Sequence, residues 1–119
     1  MGIIRNEMVI VHDCDFERIS KIHDSAILAF TEISEGSMRK ANKMVGPIIT
    51  SIINNEYTFI INGDCSKVGW EISKKYHEAR LKWCEEHKND AETIVVINFG
   101  EDGECYIVFD NQKTDHYLQ

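Results

Sequence analysis

Apolar residues recur at a period of two in EMVIVHD (7–13), a run rich in β-branched side chains, and this predicts a first strand. The next stretch, DFERISKIHDSAILAFTEISEG (15–36), reads two ways. Phe16, Ile19, Ile22, His23, Ala26, Ile27, Phe30 and Ile33 share one helical face, with Asp15 to cap it and Gly36 to stop it. Alternatively, SAILAFTEI (25–33) suits a strand apolar on both sides, with His23-Asp24-Ser25 ending any helix before it. We favour the second reading, a short helix or turn and then a central strand.

Farther along, Ser37 caps a short helix whose stripe is Met38, Ala41 and Met44/Val45, and Gly46-Pro47 ends it. PIITSIINNEYTFIIN (47–62) predicts a hairpin turning at Asn54-Asn55, whose side chains tolerate positive φ, with Tyr57, Phe59 and Ile61 on one face. A long helix capped by Asp64 or Ser66 follows. Ile72, Tyr76, Ala79 and Trp83 make one apolar row on it, Trp70, His77, Leu81 and Cys84 a neighbouring one, and charged residues fill the opposite side. ETIVVINFGEDGECYIVFDN (92–111) predicts a terminal hairpin around Gly100–Gly103. Strands joined mostly by hairpins imply an α+β fold. We expect a single compact domain over 1–119: one antiparallel sheet of about five to six strands, one long helix on one face, and one or two short helices.

Composition agrees with that picture. The 119 residues are 43% hydrophobic and 28% charged, enough to bury a core, and a single proline argues against a long linker. The apolar runs are too short to cross a bilayer, and the first residues read as neither a secretory signal nor a myristoylation site, so the expected place is the cytoplasm, away from membranes. Cys14, Cys65, Cys84 and Cys105 are widely spread, with no C-x-x-C pair, and read as reduced thiols.

Charge changes the picture more. The net charge is −7, and residues 90–119 hold seven acidic groups against Lys113 alone. That excess reads first as a solvated edge, and more sharply as an acidic face for a basic protein partner. It disfavours nucleic acid, whose phosphates are gripped mainly by Lys and Arg.

NGDCSKVGWEISKKYHEARLKWCEEH (62–87) crowds two cysteines, two histidines and both tryptophans together. His77, Cys84 and His87 could share a side of the helix as metal ligands, but no second paired motif completes a site and core packing is the better reading; no metal or cofactor is expected. His12 and Cys14 could act as base and nucleophile, yet Asp13 and Asp15 disfavour a thiolate. Cys65, near a helix start and Lys67, is the better-placed thiol. The same corner, with Ser66, Lys67, Gly69 and Trp70, is a candidate site for a small anion or nucleotide.

The run Asp64-Cys65-Ser66-Lys67-Val68-Gly69-Trp70, before a charged helix ending in Trp83, resembles a strand-to-helix corner of small uncharacterised bacterial and phage proteins. There a strand runs into D-G-S-K-x-G-W; here Cys65 replaces the glycine. The resemblance implies an α+β fold and a phage or bacterial origin, and transfers no activity. The expected function is a small non-catalytic protein-binding module, regulatory or inhibitory, as phage accessory proteins often are, acting in the host cytoplasm. Glu101, Asp102, Glu104, Tyr106 and Asp110 are its candidate contacts, and a homodimer through an edge strand is an added expectation. The anion site at Ser66–Trp70 is the alternative, and a cysteine-dependent enzyme the third choice.

Overall fold

The computed structural model describes residues 3–99 and 104–112. The elements run β1 (Glu7–Asp13), α1 (Phe16–Ile33), α2 (Met38–Met44), β2 (Ile49–Thr50), β3 (Tyr57–Ile61), α3 (Glu71–Glu86), β4 (Thr93–Phe99) and β5 (Cys105–Asp110). The strands form one antiparallel sheet in the order β2-β3-β1-β4-β5, so the α+β expectation holds. No helix among the described residues is long and apolar enough to cross a membrane.

Residues 15–36 contain no strand. They form the 18-residue helix α1, with Asp15 accepting from the Glu17 amide as N-cap and Gly36 at φ +85° past its end. The helical spacing prevails over the β-propensity of SAILAFTEI because Ile19, Ile22, Ala26 and Phe30 fall on one stripe and are all buried. Strand placement would turn half of them to water.

Two hairpins appear where the turn chemistry places them. Asn54 and Asn55 both take positive φ, 69° and 48°, within the loop that the Ser51 amide closes on the Glu56 carbonyl between β2 and β3. β4 and β5 pair antiparallel, with a bulge between Val96 and Ile97; the Gly100–Gly103 turn lies outside the described residues.

The long helix begins later than its sequence suggests. Asp64 and Ser66 do not cap it: they bond to each other, and α3 starts at Glu71 with Trp70 in the cap position and no side-chain cap bond. Residues 62–70 instead turn back across the start of β1. A side chain at Gly63 would place its Cβ 2.6 Å from the Glu7 carbonyl oxygen, so only glycine fits there.

One core lies between the sheet and the helices. Val9 and Val11 of β1, Phe59 and Ile61 of β3, and Ile94 and Val96 of β4 meet the buried stripe of α1 together with Tyr76, Trp83 and Cys84 of α3. Each large side chain buried there contributes roughly 1.5–3 kcal/mol. The expected inward rows of α3 hold for Tyr76 and Trp83, but Trp70 and Ile72 stand about half exposed, at 53% and 49%. Arg80, which falls between the two rows at about 100° per residue but is named in neither, is wholly buried.

Candidate interaction face and the polar groups behind it

β1 alternates cleanly: Glu7, Val9, Val11 and Asp13 are buried under the helices, and Met8, Ile10 and His12 point to the opposite face. That second face is also apolar. In register, Ile60, Ile10 and Val95 form a row across β3, β1 and β4. Met8, Ile97 and Ile107 form the next across β1, β4 and β5, followed by Phe99 beside Cys105. All these residues lie outside the helix-side core, and Phe99 and Ile107 are 42% and 54% exposed. A polar row closes one end, where the His12 ring bonds Thr58 Oγ1 and Glu56 Oε1, both at 2.7 Å. The signal was in the sequence: MVIV and TIVVI are apolar on both phases of the alternation, as in strands covered on both faces.

Behind the sheet, on the helix side, sits a polar cluster with no sequence motif. Arg80 donates from Nε to Glu7 Oε1 at 2.9 Å and from Nη1 to Asp64 Oδ1 at 2.8 Å. His77 Nδ1 lies 2.9 Å from both Glu7 oxygens, and Arg5 Nε donates to the buried Ser73 hydroxyl at 2.8 Å. Burial pushes the Asp64 carboxyl up, but hydrogen bonds from Ser66 and Arg80 and the guanidinium charge outweigh it and hold the group below its usual range. Arg80 Nη2 and Trp83 Nε1 are buried with no hydrogen-bond partner among the described residues. The cluster ties the first strand, the 62–70 turn and α3 together. It exposes little to a ligand.

The anion corner is largely occupied by the chain itself. The Val68 amide donates to the Ile3 carbonyl, the Trp70 amide to the Lys67 carbonyl, and Ser66 to Asp64. The Lys67 ammonium sits 5.8 Å from the centre of the Trp70 ring, and Gly69 supplies the positive φ of +103° that lets the turn close.

His77, Cys84 and His87 do not converge. His77 faces Glu7, and His87 bonds Asp90 and Ser25. Burial, helped by the Glu7 charge, pushes the Cys84 thiol up to about 12. Cys14 is exposed, and a hydrogen bond to the Glu92 carboxylate holds its thiol above the ordinary value, so it is a poor nucleophile. Asp13, Cys14 and Glu92 bring one ligand atom each within 4.8 Å of one another, but Asp13 is already engaged by the Asp15 and Glu92 amides.

Of the acidic contacts, Glu101 and Asp102 lie outside the described residues. Glu104 is exposed, Tyr106 is 53% exposed opposite Asn98, and Asp110 accepts from the Gln112 amide. Tyr106 alternates with Ile107 and so points away from the apolar rows.

Comparison of the chain with protein-family models, with curated proteins and with solved structures gives no match.

Proposed function

We propose that this chain is a non-catalytic protein-interaction module that docks through the uncovered face of its sheet. One observation carries the reading: the rows Ile60–Ile10–Val95 and Met8–Ile97–Ile107 are contiguous, apolar and outside the core. A sheet of this kind normally presents polar side chains on the face it turns to water. A contiguous apolar patch on a small domain marks a surface that another macromolecule covers. Asp110, the acidic residue of β5, ends the first row beside Val95 and would discriminate among partners by charge, the regulatory or inhibitory part of the reading.

The test is a photo-crosslinking amino acid placed at Ile97, and in a control at Glu78 on the exposed side of α3, in cells that make the chain. Adducts of protein mass from position 97 and not from position 78 are expected. No adduct at 97, or equal yields at both positions, would overturn the reading.

A further inference from the structure

Beyond that reading, and on the helix side of the sheet, we propose that Ser25 is an acyl-acceptor site, activated by His87 and Asp90 and modified by a small acyl thioester. The three residues form one hydrogen-bonded line. His87 Nδ1 lies 2.8 Å from Asp90 Oδ2, and His87 Nε2 lies 2.8 Å from Ser25 Oγ. A carboxylate only accepts, so the Nδ1 proton faces Asp90 and the lone pair of Nε2 receives the Ser25 hydroxyl proton. That order of atoms turns a weak nucleophile into an active one. The Trp83 ring, centred 4.7 Å from the His87 ring, holds the imidazole in place.

The surroundings suit an acyl group. A cavity of about 330 Å³ lies beside the His87 ring, lined by Arg18, Lys21 and Ile22 of α1 and by Asn89 and Asp90. Lys21 and Ile22 precede Ser25 by four and three residues, so they are its neighbours on the helix surface. A short acyl chain fits that space, and the two cations favour the negative charge that gathers on its carbonyl oxygen.

The donor must be activated, and the product must persist. Ser25 lies inside α1, where each amide is bonded to the carbonyl four residues earlier, so its own helix leaves no amide pair to hold an oxyanion. A thiolate departs without such help far more readily than an alkoxide, because thiols are acids with pKa about 8.5. The Ser25 oxygen bonds the carbonyl carbon, the carbon–sulfur bond breaks, and the Ser25 proton passes through His87 Nε2 to the departing sulfur. What remains is an ordinary serine ester with only an alkoxide to expel. The site therefore takes one acyl group and keeps it, as befits a module that does not turn over.

The experiment incubates the purified chain with a small acetyl thioester and follows acetylation residue by residue through peptide mass spectrometry. Ser20, on the same helix and bonded to no histidine among the described residues, is the internal standard. We expect Ser25 to be acetylated about 100-fold faster than Ser20 and to keep the group. With folding checked by circular dichroism, His87→Gln and Asp90→Asn should each slow Ser25 about tenfold or more, while Asp90→Glu retains most of the rate. Asp90 is half exposed, so its variants fold even where His87→Gln, which loses the Trp83 contact, does not. Ser25 acetylated no faster than Ser20 would overturn the proposal. So would acetyl confined to Lys21, or a Ser25 rate unchanged in the folded Asp90→Asn chain. An acetyl group lost from Ser25 as fast as it forms would overturn the single acylation and the non-catalytic reading with it.

Discussion

Glu7 and Arg80, 73 residues apart in the chain, meet as a fully buried ion pair at 2.9 Å, with Asp64 on the far side of the guanidinium. The pair joins the middle strand of the sheet to α3. Two carboxylates facing one guanidinium in an apolar interior make an arrangement whose halves depend on each other.

Removing one half should therefore cost more than removing both. Arg80→Ala leaves Glu7 buried without its cation and should destabilise the fold by about 3–5 kcal/mol. The double change Glu7→Leu with Arg80→Met keeps the volume and removes the fully buried pair, leaving only the partly exposed Asp64 without its guanidinium, and should cost less than Arg80→Ala alone. Urea denaturation of the singles and the double checks this; equal losses would show that the pair contributes packing alone.

Acid should find Asp64. Its folded carboxyl is held below the ordinary value, so it contributes stability above about pH 4 and loses that contribution as pH falls through the folded value. Asp64→Asn should be less stable than wild type at neutral pH, by about 1 kcal/mol, and the gap should close in acid. Thermal melts of both proteins across that range measure it.

The thiols should separate by environment. Cys65 and Cys105 are exposed and should react readily with a thiol reagent, Cys14 more slowly because Glu92 holds its proton, and Cys84 only after unfolding. Because Cys84 is pushed up to about 12, its contribution is complete below the ordinary thiol value of about 8.5 and is lost as pH rises from there toward 12. Cys84→Ala should lack that alkaline loss, which denaturation at several pH values would reveal.

The two tryptophans should report opposite surroundings. Trp83 is 2% exposed and meets Phe59 edge to face and His87 at a tilt, whereas Trp70 is 53% exposed. Trp83→Ala should cost about 3–5 kcal/mol and Trp70→Ala no more than about 0.5. The Trp70→Phe protein should emit at shorter wavelength than Trp83→Phe.

Much of this architecture is legible in the chain, because strand period and turn chemistry are local. Asn54-Asn55 announces its turn, and Tyr76 and Trp83 announce the inward side of α3. What escapes is decided at a distance. Arg80 falls between the two apolar rows of α3, yet nothing local says that a guanidinium can enter the core, because Glu7 and Asp64, the carboxylates that let it, come from another strand and another loop. Asp64 reads as a helix cap because nothing nearby says that a guanidinium sixteen residues on will claim it. The helix α1 was within reach: Asp15, the three- and four-residue spacing and Gly36 all favoured it, against the β-propensity of nine residues. The apolar outer rows were visible too, as strands hydrophobic on both phases, but only the sheet order shows that Ile60, Ile10 and Val95 line up.

The sheet ends on a strand of two residues at one margin and on a bulged strand at the other. Neither margin offers the long, flat ladder of open amides and carbonyls on which further chains stack into fibrils. High expression should thus yield discrete particles rather than polymer, a practical freedom for a small protein this rich in isoleucine.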